Sequence, residues 1–256
     1  MAEYIVIPGE CHLTKEEFLE TLILRKGHDY NGAYLVLQAP ILLFAEENGS
    51  FTEEDKKLFK NASSALNHIQ NVNQAIETLT TGKINYQQFN VTDPIQDMLK
   101  FIVTKHANLD DIISLSCEGN IPILISRTVL YQQIYSFVNN VFKSFPINAI
   151  NKTIDISVRK YDLEQKEIQY LGQKGKNLTS GSPFVEVSVR DNGIGIEEKR
   201  LSKIFERGHS TRGTKGIGLA LSRKSAEMLC DYIHVESIPN QGSTFNLRFH
   251  QNGGLI

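Results

Sequence analysis

Cysteine is scarce in this sequence. Cys11, Cys117 and Cys230 are the only three in 256 residues. They are odd in number, far apart and without the short spacings of a metal site. That excludes a disulfide framework and predicts a reducing compartment. Long apolar runs are missing too: none approaches the roughly 18 residues that cross a bilayer. The opening stretch MAEYIVIPGECHLTKEE is acidic rather than basic and has no long apolar core, which argues against a secretory signal. Charge of one sign is not in excess. A formal net charge of -2 gives no global attraction to nucleic acid. There is no internal repeat and no low-complexity tract. These absences predict a soluble, cytoplasmic globular protein with no membrane span and no nucleic-acid partner. The length allows one large domain or two small ones.

What is present divides in two. Residues 14–81 read as helical. Thr14 with Glu17 fits a capping box. Ile23, Gly27, Tyr30, Tyr34, Leu37, Ile41 and Phe44 then recur at alternating spacings of four and three. Asn48–Gly49 breaks the pattern, and Thr52 with Asp55 offers a new start. The spacing resumes at Leu58, Ala62, Ala65, Ile69, Val72, Ile76 and Leu79. Each stripe has the period of a coiled-coil seam. Two such helices make a hairpin, closed by Thr80–Thr81–Gly82. A second copy would bury both stripes in a four-helix bundle, so a homodimer is expected; the alternative is a hairpin packed on its own C-terminal domain. Pro40, inside the first helix, predicts a kink or an early end.

From residue 84 to 250 the texture is mixed. Strands are expected at KINYQQFNV, DIISLSCEG, IPILIS, TIDISVRKY, FVEVSVRD, YIHVESI and STFNLRF. Helices are expected at DPIQDMLKFIVTKHA, SRTVLYQQIYSFVNNVFKSF and IGLALSRKSAEML. The polar stretch at 162–183 reads as a long solvated hairpin loop. The whole is an α+β protein: a helical hairpin followed by an α/β sandwich of one sheet layer and one helix layer.

The chemistry-bearing residues cluster in the second part. Asp191-Asn192-Gly193-Ile194-Gly195-Ile196 follows a strand directly, and Gly213-Thr214-Lys215-Gly216-Ile217-Gly218-Leu219 opens a helix. A carboxylate at a strand end can accept from an exocyclic amine. Glycines let backbone approach a ligand closely. A glycine-rich turn feeding a helix N-terminus offers free N–H groups to phosphates. The second stretch lacks the strand-before and acid-after context of a dinucleotide fingerprint, and no Lys-Ser/Thr follows its glycines as in a Walker A loop.

In this order the elements resemble the GHKL ATPase superfamily, which includes histidine kinases, Hsp90, type II topoisomerases and MutL. DNGIGI looks like the first glycine box and GTKGIGLAL like the second. Lys203-Ile204-Phe205-Glu206-Arg207-Gly208 looks like the phenylalanine box of histidine kinases. Gln241-Gly242-Ser243-Thr244-Phe245 matches the closing glycine turn and strand, and Leu130–Lys143 resembles the asparagine box. The resemblance covers residues 84–250 and implies a Bergerat ATP-binding fold with ATP and Mg2+ as cofactors. It implies that Asp191 holds the adenine amino group and that Gly193 and Gly195 shape its pocket. It assigns Mg2+ to Asn140, with Lys143 near the phosphates and Gly216 and Gly218 facing them. The lid would span 197–215, with Arg212 and Lys215 as phosphate contacts. A one-residue slip would make Asn139 the ligand; Asn140 is preferred because it leaves Lys143 in its family place. One departure stands out. Ser136 occupies the position of an asparagine, where a hydroxyl facing the site would reach less far.

The lid region is most similar to that of histidine kinases, and the hairpin resembles their dimerisation and phosphotransfer domain. The resemblance makes His28 the phosphoacceptor and Asp29 the acid that polarises its ring. The activity implied is autophosphorylation, followed by transfer to an aspartate on a response-regulator receiver domain. Gly32 and Ala33 depart from the usual polar residue and proline after the histidine, which sets phosphatase activity in question. His68 is the rival acceptor, and otherwise a histidine on a solvated face. His12, His106, His209, His234 and His250 read as structural or surface residues. The short lead before the first helix implies a separate sensor protein, or a sequence that is part of a longer one. Two other readings remain: a non-catalytic phosphotransfer scaffold, and a GHKL serine kinase acting on a partner protein. Topoisomerase and MutL readings fail because no transducer domain follows.

Overall fold

The computed structural model describes residues 2–6, 53–105, 111–146, 149–172, 178–179, 181–206, 218–229 and 231–253. The first helix of the expected hairpin, with His28 and Asp29, lies outside them. So do Arg212, Lys215 and Gly216 of the lid.

The described chain starts with strand β1 (Ala2–Val6) and resumes with helix α1 (Glu53–Thr81). There follow β2 (Gln87–Asn90), α2 (Thr92–Lys105), β3 (Ile113–Cys117), β4 (Pro122–Ile125) and α3 (Arg127–Ser144). Then come β5 (Ile154–Tyr161), α4 (Gln165–Gly172), β6 (Phe184–Asp191), the short α5 (Glu198–Leu201), α6 (Gly218–Leu229), β7 (Tyr232–Ile238) and β8 (Gly242–His250). A six-stranded sheet has the order β1-β7-β8-β6-β5-β3, and β2 pairs with β4 in a small second sheet. The β3–β5 pair is parallel; every other pair is antiparallel. Apart from β1, this is the expected α+β arrangement: a helical part, then an α/β fold.

Strand alternation decides which face of the sheet is wet. Ile154, Ile156 and Val158 of β5, Val185, Val187 and Val189 of β6, and Phe245, Leu247 and Phe249 of β8 are all buried in one core. The same core takes Met98 and Phe101 from α2, and Ile134, Phe137, Val138 and Val141 from α3. The Phe137 and Phe245 rings meet at 5.4 Å. Each such side chain contributes about 1.5–3 kcal/mol by leaving water.

The other face is not solvated where a loop was expected. Within the 162–183 stretch Gln165–Gly172 form α4, and Leu163 and Leu171 are buried against Phe184. Helix α4 also sends Glu167, fully buried, onto the sheet. There Arg248 Nη1 donates to Glu167 Oε1, and Arg248 Nε donates to Glu186 Oε2 at 2.6 Å. Tyr161 Oη and the Glu164 amide donate to Glu167 Oε2 at 3.0 and 2.8 Å. Arg159 donates to Glu186 Oε1 at 2.7 Å, and the Arg248 guanidinium lies 4.2 Å from the Tyr161 ring centre. The Glu- and Lys-rich composition of this stretch hides its few apolar anchors, which is why it reads as a loop.

Two further observations concern the ends of the helical part. The amino-terminal residues are a strand: Ala2 pairs with Ser237 and Val6 with Ile233 along β7. The α1 stripe is covered without a second copy over its carboxy-terminal half. Ala65 joins the main core, Ala75 packs with Val129 and Leu229, and Leu79 packs with Leu221. His68 lies on no solvated face, being 1% exposed. Its ring stacks on Phe101 at 3.9 Å, and its Nδ1 is 2.9 Å from Tyr131 Oη. Helix α1 ends where Gly82, at φ 70°, donates its amide to the Thr78 carbonyl. Among the described residues no helix is long and apolar enough to cross a membrane.

Candidate nucleotide-binding site

Strand β6 carries its buried alternation to its last residue, Asp191, which is 4% exposed. The two carboxylate oxygens differ. Oδ1 accepts from the Gly193 amide at 2.7 Å and from Ser144 Oγ, at the end of α3, at 2.9 Å. Oδ2 is buried and, among the described residues, has no hydrogen-bond partner. Burial raises the carboxyl above the ordinary aspartate range, against the opposing pull of the Gly193 amide, the Ser144 hydroxyl and the nearby Ser243 amide. A buried acceptor left open costs free energy unless a donor arrives. An exocyclic amine is such a donor.

The backbone around Asp191 leaves no room for side chains. A Cβ on Gly193 would stand 2.0 Å from Ser144 Oγ. Gly242, at φ 111°, brings its α-carbon so close that a Cβ would stand 1.9 Å from the Asp191 carbonyl oxygen. Both turns are then laced together. Asn240 N donates to the Ile194 carbonyl at 2.7 Å, and Ile196 N donates to Ser237 Oγ at 2.8 Å. Ser237 Oγ in turn donates to the Gly242 carbonyl at 3.0 Å. Gly195, at φ 64°, sits against the Ile238 carbonyl in the same knot.

Helix α3 supplies the other wall. Asn140 and Lys143 are half-buried in its last two turns, and Ser144 closes it against Asp191. The Ser144 carbonyl also accepts from Ile194 N at 3.3 Å. The helix holding the asparagine box is thus bonded directly to the first glycine box. Lys143 is in the last turn of α3, where a cation is favoured. Asn139 is equally half-buried. Ser136 is 2% exposed and satisfied within its own helix: it donates to the Gln132 carbonyl and accepts from Gln132 Nε2, both at 3.0 Å. A short hydroxyl is satisfied by its own helix where a longer amide would project. Gly218 is the first residue of α6, whose Leu219, Leu221, Ser222, Ser225 and Ala226 are buried as it packs along α3. Phe205 is 2% exposed in the core, anchoring the turn after α5.

The structure brings Asp191 and Gly193 against Ser144 at the end of α3, the helix that carries Asn140 and Lys143, and Gly218 begins the helix packed along α3. His28, Asp29, Arg212, Lys215 and Gly216 lie outside the described residues. Two residues were missed from the sequence. Ser144 carries no motif signal of its own. Asn192 lies inside the first glycine box, but the motif assigns it no contact. Its Oδ1 accepts from Thr153 N at 2.8 Å and its Nδ2 donates to the Asn151 carbonyl at 2.7 Å. It clasps the α3–β5 connection to the rim.

The donor set suits ATP with Mg2+. Among the described residues no group of three His, Cys, Asp or Glu side chains could hold a metal. One amide oxygen supplemented by phosphates and waters is a donor set that Mg2+ accepts.

Comparison with known proteins agrees. The family described as histidine kinase-, DNA gyrase B- and HSP90-like ATPase matches residues 126–253. The chain belongs to this family, and its ATP-binding core is of the histidine-kinase type. It is 33% identical over 109 residues to the probable C4-dicarboxylate sensor kinase of Halalkalibacterium halodurans, a match covering 42% of this chain and 19% of that protein. It is 28% identical over 204 residues to the signal transduction histidine-protein kinase BarA of Escherichia coli, covering 74% of this chain and 20% of that one. The chain thus spans about a fifth of the length of these relatives. The structure of full-length ShkA in complex with AMPPNP shares the fold, with a TM-score of 0.52 and 20% identity over 93% of this chain and 46% of that one.

Proposed function

We propose that the protein is an ATP-dependent protein-histidine autokinase of a two-component phosphorelay. The observation that carries this is Asp191: a buried carboxylate with one oxygen open, in a glycine cradle, within a histidine-kinase-type core. Asp191 accepts from the adenine amine, and Gly193 and Gly195 admit the ring. Asn140 holds Mg2+, which neutralises phosphate charge when bound. Lys143, Arg212 and Lys215 lie along the phosphates, with Gly216 and Gly218 at the α6 N-terminus.

Residues 14–81 form the dimerisation and phosphotransfer hairpin and residues 84–250 the catalytic domain. The imidazole Nε2 of His28 attacks the γ-phosphorus. An N–P bond forms, the bond to the β,γ-bridging oxygen breaks, and ADP leaves with that electron pair. Asp29 orients the ring and stabilises its positive charge as the attack proceeds. The phosphoryl group then passes to an aspartate of a receiver domain. The protein works as a cytoplasmic homodimer.

The test is incubation with γ-labelled ATP and Mg2+, for the wild type and His28→Ala. Acid-labile label that disappears in the variant is the expected result. ATP binding without label would leave a phosphotransfer scaffold, a reading that the inward turn of Ser136 favours. Acid-stable label on a partner protein would point to a serine kinase.

A further inference from the structure

We propose that Ser144 is a positioning residue for base recognition. By holding Oδ1 of Asp191 it leaves Oδ2 to read the nucleobase, and so sets a preference for 6-amino over 6-oxo purine nucleotides. The inference rests on the nucleotide reading of the site and deepens it.

The geometry assigns the two oxygens different tasks. Oδ1 is saturated by the Ser144 hydroxyl at 2.9 Å and the Gly193 amide at 2.7 Å. Oδ2 has no partner although it is buried. Both donors to Oδ1 lie on backbone that cannot shift independently. Gly193 is pressed so close to Ser144 that a Cβ there would stand 2.0 Å from Ser144 Oγ, and the Ser144 carbonyl accepts from Ile194 N. Without the hydroxyl, the carboxylate loses the one side-chain donor that holds Oδ1 and turns more freely about its Cβ–Cγ bond. Either oxygen could then face the base, and neither would be held in place. With the hydroxyl, a fixed acceptor faces the base edge. A 6-amino group donates to it. A 6-oxo group sets acceptor against acceptor, and a buried polar atom left unpaired is strongly disfavoured. Ser144 also closes the helix that bears Asn140 and Lys143, so the same contact keeps base and phosphate contacts in register. The Ser144 hydroxyl is one of the groups that lower the Asp191 carboxyl against the effect of burial.

The experiment uses the full chain and displacement of a fluorescent trinitrophenyl-ATP by ATP and by ITP, from pH 5 to 8. Wild type and Ser144→Ala are compared, with circular dichroism to check folding. Each nucleotide is compared with itself between proteins, so its own titration cancels. The wild type is expected to bind ATP well ahead of ITP. In Ser144→Ala the affinity for ATP falls about tenfold, the scale of one charge-assisted hydrogen bond, while ITP changes little, so the preference collapses. The pH below which ATP binding weakens moves upward in the variant. If Ser144→Ala does not fold, Ser144→Thr and Ser144→Val give the same comparison, differing by the hydroxyl alone. Parallel weakening of ATP and ITP with an unmoved pH profile would reduce Ser144 to packing and overturn the proposal. A wild type that prefers ATP, beside a variant that prefers it equally, overturns this inference alone. A wild type that binds no nucleotide overturns the functional reading and this inference with it.

Discussion

The molecule buries carboxylates on both faces of its sheet and treats them in opposite ways. At the helix-bearing end, Asp191 has two donors on one oxygen and, among the described residues, no hydrogen-bond partner on the other and no ion pair. On the far face, Glu167 and Glu186 are at least as deeply buried, but every oxygen is met by Arg248, Arg159, Tyr161 or the Glu164 amide. Burying a charge is costly unless it is paired and bonded. The saturated cluster meets that condition within the chain and pins α4 to the sheet. The half-satisfied one meets it only when something else arrives. Incomplete satisfaction, not burial, separates a binding site from a staple.

Three substitutions would break or sharpen this contrast. The largest effect belongs to the staple. Arg248→Ala strands two buried carboxylates and is expected to cost about 3–5 kcal/mol in urea unfolding, with ATP affinity kept in the molecules that remain folded. A stability loss below about 1 kcal/mol would mean that the cluster is no staple.

Asp191→Asn comes next and should divide the two properties. ATP affinity is expected to fall about 10–100-fold, the scale of a hydrogen bond to a charged group, without loss of stability. Its pH dependence follows from the raised carboxyl. A carboxyl raised on folding makes the native state hold its proton longer than the unfolded chain. Wild-type stability therefore declines as pH rises from the ordinary aspartate value of 3.8 through the native one, then levels off. The Asn variant lacks that decline, so the difference between the two unfolding curves should open upward from pH 4. Curves that stay parallel would show that the native carboxyl is not raised.

The smallest effect is expected from His68→Phe. It keeps the stack on Phe101 but loses the bond to Tyr131, at a cost of about 1 kcal/mol and no change in nucleotide affinity. A selective loss of ATP binding would place this contact in the site's machinery after all.

The site was legible in the sequence because its chemistry is contiguous. Asp191, Gly193 and Gly195 fall in one hexapeptide, and only glycines could stand where Gly193 and Gly195 do. The strands were legible because alternation survives in β5, β6, β7 and β8. What escaped depends on contacts distant in sequence. Glu167 reads as one more charge in a polar stretch until Arg248, far along the chain, is laid beside it. His68 reads as polar until Phe101, Tyr131 and Tyr135 enclose it. Ser144 belongs to no motif and matters through one hydroxyl. The strand at residues 2–6 has no partner nearby in sequence, so no turn announces it.

Helix α1 has a mechanical consequence. It runs through 29 residues, and the first buried side chain among those described is Ala65. From there to Leu79 it is bedded against the ATP-binding fold. The stretch from Glu53 to Ser64 extends about 18 Å further at the usual rise of an α-helix. Because α1 is one continuous helix packed on both α3 and α6, a displacement of its bedded half is shared by the helix that carries Asn140 and the helix that Gly218 begins.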